Sequence, residues 1–176
     1  SAAAVRVGQA VGRRDPHGFY ELLVTREVAG ATSLDKLLKR PGAVTDLASL
    51  LRLVRHMHDS GLSHGGLAPR NILVSFPAAG APAFHIIDMS YSCIFPRGIA
   101  GTRMATFDLL DLIYRIGSHF PAERCRAWLA DYGLDESAVQ KLMRGLEHYR
   151  PRGHWAHLRR GETDLRSALA RLISPE

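Results

Sequence analysis

The chain has 176 residues, 46% hydrophobic and 23% charged, the proportions of one ordinary globular domain. That excludes a large multidomain machine, a disordered tail, a collagen and a coiled coil. Its 23 Lys and Arg against 17 Asp and Glu give a net charge of +6, which favours an anionic partner over a cationic one.

Near the start, Ala4 to Gly8 and Gly18 to Thr25 read as short strands around the turn-rich Gly12-Arg-Arg-Asp-Pro-His-Gly18, so a β-hairpin is expected. Ser33 is placed as N-cap of a helix over 34–40, which Pro41-Gly42 stops. Thr45 is expected to cap a stronger helix, in which Leu47, Leu50, Leu51, Val54 and Met57 recur at helical spacing until Gly61 ends it. The glycines and proline of Leu62 to Arg70 predict a loop, followed by apolar strands over 71–76 and 83–88. From Thr106 the rest reads as helices over 107–118, 122–132, 136–148 and 164–173.

Three of the 23 cations are Lys36, Lys39 and Lys141, and the other 20 are arginine, the better bidentate ligand for phosphate. A codon bias toward arginine would leave the same count. Arg144 to Arg171 holds seven arginines against Glu147, Glu162 and Asp164, a basic tail that reads either as phosphate-facing or as a solvated helix face. Nucleic-acid binding is disfavoured, because helix-turn-helix and zinc-finger spacings are missing and few aromatics interleave with the cations. Cys93 and Cys125 are far apart and suggest neither a disulfide framework nor a thiolate metal site. His56 and His58 fall on different helix faces, and His154 and His157 lack a third nearby ligand, so zinc is not expected. Trp128 and Trp155 read as packing residues. No apolar run approaches the ~20 residues that cross a bilayer, and the alanine-rich start is not built like a signal peptide. A cytoplasmic location is expected.

Against this background His64 and Asn71 bracket the loop, and Asp88 ends the second strand. An Asn and an Asp at adjacent ends of a hairpin supply hard oxygen ligands of the kind Mg²⁺ prefers, with positions left for phosphate and water. Both are also ordinary turn residues, so spacing alone leaves function and structure open.

The run His64-Gly-Gly-Leu-Ala-Pro-Arg-Asn71-Ile-Leu-Val resembles the protein-kinase catalytic loop H-R-D-L-x-x-x-N, with Asn71 at the Mg²⁺-binding position. Asp88, 17 residues on, stands where the family has the metal-binding Asp of D-F-G, with Met and Ser in place of Phe and Gly. Leu22 to Gly30 and the following Ser33-Leu-Asp-Lys-Leu-Leu resemble the strand, hinge and first helix that join the kinase lobes. More narrowly, HG-x-L-x-P-R-N-I-L resembles bacterial lipopolysaccharide core kinases, which phosphorylate Kdo or heptose. The resemblance implies an α+β, mainly α fold: a kinase-like carboxy-terminal lobe over residues 31–176, after a truncated β-hairpin and hinge over 1–30. It implies ATP and Mg²⁺ at Asn71 and Asp88, adenine on the backbone of Arg26 and Val28, and a structural Asp108 bracing the catalytic-loop backbone. It also implies a lipopolysaccharide core sugar or other anionic glycolipid as partner. Peripheral contact with the inner face of the bacterial inner membrane would fit that partner.

Gly66 occupies the position of the catalytic Asp, and glycine can neither orient an acceptor hydroxyl nor take its proton. His64 is expected to structure the loop; its offset from Gly66 argues against a surrogate base. Nothing before the hinge supplies a Gly-rich loop or the Lys that grips phosphates. Three readings stay open: a weak or inactive pseudokinase that binds a protein or glycolipid, one lobe of a longer active enzyme, or different chemistry on a borrowed frame.

Overall fold

A computed structural model describes residues 10–15, 18–23, 27–40, 42, 44, 46–77, 81–89 and 91–150. The chain divides into two compact units, Ser1–Gly30 and Ala31–Glu176. In the first, β1 (Ala10–Asp15) and β2 (Gly18–Leu23) pair antiparallel, with Ala10 opposite Leu23 and Asp15 opposite Gly18. The hairpin is present, but its first strand runs through Gly12 to Asp15, the stretch expected to be turn. The ladder is made by backbone groups, so a Gly-Arg-Arg-Asp run serves as strand once a partner lies beside it. The strand expected over 4–8 lies outside the described residues.

The second unit begins with β3 (Thr32–Ser33) and α1 (Leu34–Leu38). Ser33 takes the N-cap position, yet its side chain makes no capping bond. Next comes α2 (Ala48–Asp59), whose buried face carries Leu50, Leu51, Val54, Met57 and His58. Its cap differs from expectation. Asp46 Oδ1 accepts from Ala48 N at 3.0 Å and from Trp128 Nε1 at 2.9 Å. The backbone bond to Ala48 is the largest cause of a lowered Asp46 pKa. Thr45 lies outside the described residues.

The expected loop carries two short regular pieces, β4 (Leu62–Ser63) and a 3-10 turn at Pro69–Asn71. Proline suits the first position of that turn because its missing N–H has no partner there anyway. Then β5 (Ile72–Ser75) and β6 (Ala83–Ile86) form an antiparallel ribbon with β3 on its outer edge, giving the order β3, β5, β6. A two-residue strand not expected from the sequence, β7 (Cys93–Ile94), pairs with β4.

Among the described residues three helices follow: α3 (Arg103–Ile116), α4 (Ala122–Tyr132) and α5 (Glu136–His148). The helix α3 starts earlier than predicted because Arg103 to Thr106 continue its turn. Gly133 closes α4 at φ 101, a left-handed conformation that favours glycine. Asp135 caps α5 by accepting from Ala138 N at 2.8 Å. The helix expected over 164–173 lies outside the described residues. The helices α2 and α4 pack together, as do α3 and α5, around a core that includes Leu50, Leu51, Val54, Leu109, Leu112, Trp128 and Leu129. Each fully buried leucine or valine contributes roughly 1.5–3 kcal/mol, so this core rigidly carries the strand ends and loop above it.

Candidate functional site

The loop after β4 is built on a buried carboxylate. Asp108, on α3 and with no solvent exposure, accepts from His64 N at 2.8 Å and Gly65 N at 2.9 Å. It also accepts from Ser63 Oγ at 2.9 Å and from His58 Nε2 at 3.2 Å. A buried carboxylate is tolerable only when donors surround it, and here two are loop amides that no regular ladder could satisfy.

Behind it, His58 is fully buried, with Nδ1 2.7 Å from the Tyr132 hydroxyl. Since Nε2 faces a carboxylate it carries the proton, and Nδ1 accepts from Tyr132. A chain of side chains thus runs from α4 through α2 and α3 to the loop amides. Burial pushes the Tyr132 phenol pKa upward, so it stays a neutral donor. By sequence His58 reads only as a candidate metal ligand, and this buried role goes unannounced. The signal was its place four residues after Val54 on the apolar face, where a histidine must find buried partners.

His64 is 1% exposed, and its Nε2 donates to Ile87 O at 2.9 Å, tying the loop to the segment after β6. Its Nδ1 is buried without a hydrogen-bond partner among the described residues. Gly65 takes φ 77, and a Cβ there would run into the Tyr91 carbonyl oxygen. Gly66 is different: φ is not positive, and a Cβ would meet only Tyr91 Cδ2 at 4.0 Å. The fold accepts a side chain at 66; the sequence lacks one.

Asn71 ends the 3-10 turn and is buried. Its Nδ2 donates to Gly66 O at 3.0 Å, and Ala68 N donates to the same carbonyl at 2.8 Å. The amide orientation is thereby set, leaving Oδ1 as the remaining acceptor. Ile87 N donates to Asn71 O at 2.9 Å, extending the β5–β6 ladder by one step. Asp88 therefore sits one residue past the partner of Asn71, at the same end of the ribbon. It is exposed and takes φ 62; among the described residues no other non-glycine has a positive φ. A conformation of this kind costs about 1–3 kcal/mol and persists where the surroundings impose it.

An amide oxygen and a carboxylate at one ribbon end fit a hard cation that keeps phosphate and water ligands. Among the described residues no group of three His, Cys, Asp or Glu could hold a metal ion, so a nitrogen or sulfur cage is not built there. Of the two hinge positions, Val28 lies in the first unit and Arg26 lies outside the described residues. Trp128 is buried, and Trp155, His154 and His157 lie outside the described residues. Burial raises the thiol pKa of both Cys93 and Cys125. Among the described residues no helix is long and apolar enough to cross a membrane.

The family model described as "Lipopolysaccharide kinase (Kdo/WaaP) family" matches residues 3–113. No curated protein matches the sequence. A solved structure of WaaP in complex with acyl carrier protein matches with a TM-score of 0.61 at 16% identity, covering 81% of this chain and 69% of that one. At that identity the likeness speaks for the fold, a mixed α/β kinase-like arrangement.

Proposed function

The chain belongs to the lipopolysaccharide kinase (Kdo/WaaP) family, and from that premise we propose a lipopolysaccharide-core sugar kinase-like protein that binds ATP and Mg²⁺ but transfers phosphate weakly or not at all. The observation that carries this reading is the ribbon end, where Asn71 has an oriented amide and Asp88 an imposed backbone conformation. Asn71 Oδ1 and the Asp88 carboxylate would hold the cation, which supplies charge neutralisation on the phosphates when bound. Asp108 keeps the loop backbone in register beneath them. Adenine is assigned, on the same reading, to the backbone of Arg26 and Val28. The missing element is the base at Gly66, worth roughly 10²- to 10⁴-fold in rate. Such an acceptor would be met at the cytoplasmic face of the bacterial inner membrane.

Two experiments test this. Millimolar Mg²⁺ with ATP should raise the melting temperature of the full chain, because a ligand at 100 times its Kd adds about 2.7 kcal/mol. Asp88→Asn should remove most of the rise; no rise in the unsubstituted chain would end the nucleotide reading. Gly66→Asp, which the open space at 66 admits, should raise phosphate transfer to a sugar acceptor by about 10²-fold or more.

No gain alongside intact nucleotide binding would favour a second reading, a noncatalytic binding module for a protein or anionic glycolipid. What favours that reading is the row Ile87, Met89, Tyr91 and Ile94, all exposed, with Ile94 85% exposed. Apolar surface of this kind next to a loop suits a protein contact. WaaP, of like fold, is in complex with acyl carrier protein in its solved structure.

A further inference from the structure

We propose that the outer edge of the segment after Asp88, at Met89, Tyr91, Ile94, Pro96 and Arg97, docks on an anionic phospholipid bilayer. All five residues are exposed, Ile94 most of all at 85%. One exposed isoleucine is ordinary, but of the six large apolar side chains exposed among the described residues, four lie between Ile87 and Ile94. The exposure is built into the strand. Cys93 and Phe95 pack inward with Ile99 and Met104, so Ile94 between them must project. Nor can the backbone roll to hide it, because Phe95 N donates to Gly61 O and Ile99 N to His58 O, each at 2.8 Å. At Gly98 the chain lies so close to α2 that a Cβ would meet the Asp59 carbonyl oxygen at 2.9 Å.

Charge decides what covers this edge. From Met89 to Phe107 the sequence has two cations, Arg97 and Arg103, and no acid. Asp59, whose backbone meets Gly98, is already paired by Arg55 at 2.8 Å. Apolar side chains rimmed by arginine suit a surface that is anionic at its face and apolar beneath. Tyr91 matches the boundary between those layers, an apolar ring carrying a polar tip. Arg97, with no hydrogen-bond or ion-pair partner among the described residues, can give its whole guanidinium fork to a lipid phosphate. A soluble protein fits less well, because these few side chains cannot supply the roughly 800 Å² that each partner gives to a stable contact. A second copy would set one +6 chain against another. A bilayer asks for less area, since each side chain inserts singly.

The proposal is independent of the nucleotide reading, and its test contains no ATP. The full chain is sedimented with vesicles of mixed phosphatidylglycerol and phosphatidylcholine, and with vesicles of phosphatidylcholine alone. The mixed vesicles should bind it at least about tenfold more tightly than the neutral ones. Ile94→Asp should weaken that binding about tenfold or more, and Arg97→Gln about fivefold. Both side chains are exposed, so neither substitution should move the melting temperature. Lys36→Gln removes the same charge from the exposed side of α1 and should leave binding unchanged. Ile94→Trp should gain a blue-shifted emission on mixed vesicles that brominated lipid quenches. The proposal is overturned if mixed vesicles are not bound, which returns the row to a protein contact. It is overturned equally if Ile94→Asp binds as well as the parent chain, or if Lys36→Gln costs as much as Arg97→Gln, since cations elsewhere in the chain would then carry the binding.

Discussion

On its inner side the loop over residues 64–71 rests on Asp108, a carboxylate with no exposure that accepts from two loop amides, a serine and a histidine. On its outer side it presents Gly66, where even a Cβ would find only Tyr91 Cδ2 at 4.0 Å. The inner face is fixed by groups that would each be costly to leave unpaired; the outer face is open. At position 66 the loop is held through the backbone alone, where Asn71 Nδ2 and Ala68 N donate to the Gly66 carbonyl. A side chain introduced at 66 should therefore leave the fold little changed.

The largest effect should come from the inner face. Asp108→Ala leaves two buried amides, Ser63 and His58 without their acceptor, at about 1–3 kcal/mol for each group, so denaturant melts should show a loss of at least about 4 kcal/mol. A loss below about 1 kcal/mol would mean that the loop is held by something else. The next test compares neighbours. Gly65→Ala meets both a left-handed backbone and the Tyr91 carbonyl, and should cost about 2 kcal/mol or more. Gly66→Ala should change stability by no more than about 0.5 kcal/mol. Equal losses at the two glycines would break the contrast between the faces.

The smallest effect lies deeper. Tyr132→Phe removes the hydroxyl that His58 Nδ1 accepts, at about 1 kcal/mol near neutral pH. Because burial raises the folded phenol pKa, the unfolded chain gives up its proton first, near pH 10. Stability from Tyr132 is therefore full below about pH 10 and falls as pH rises above it. Urea midpoints between pH 8 and 11 should fall less steeply in Tyr132→Phe. Tyr149, raised by burial and then by Asp111, supplies a residual slope.

Elements whose ends are written locally were legible. Helices α4 and α5 match their predicted limits because Pro121, Gly133 and Asp135 act on adjacent residues. The ribbon over 72–86 and the α2 core stripe are local patterns too. Features settled by distant partners were not. By local pattern only Thr45 reads as the cap of α2, whereas Asp46 accepts from Ala48 N and from Trp128, far along the chain. The register of β1 depends on β2, so Gly12 and Asp15 read as turn residues until that strand lies beside them. His58 finds Asp108 and Tyr132, 50 and 74 residues away, which no helical periodicity can announce. At the candidate site, the spacing of Asn71 and Asp88 suggested shared ligation. The open space at Gly66 is set by Tyr91, 25 residues on, which spacing does not announce.

The pairing of β4 with β7 carries a consequence for how the unit opens. Leu62 and Ser63 ladder with Ile94 and Cys93, Phe95 N donates to Gly61 O at 2.8 Å, and Ile99 N donates to His58 O at 2.8 Å. The segment beyond Asp88 is thus stitched to the same stretch of chain that supports the 64–71 loop. Lifting it exposes the end of α2 and frees the residue on which Asp108 leans, so segment and loop form one cooperative exchange unit. Amide protons at His64, Gly65, Phe95 and Ile99 should then exchange with one opening free energy, which hydrogen exchange would read directly.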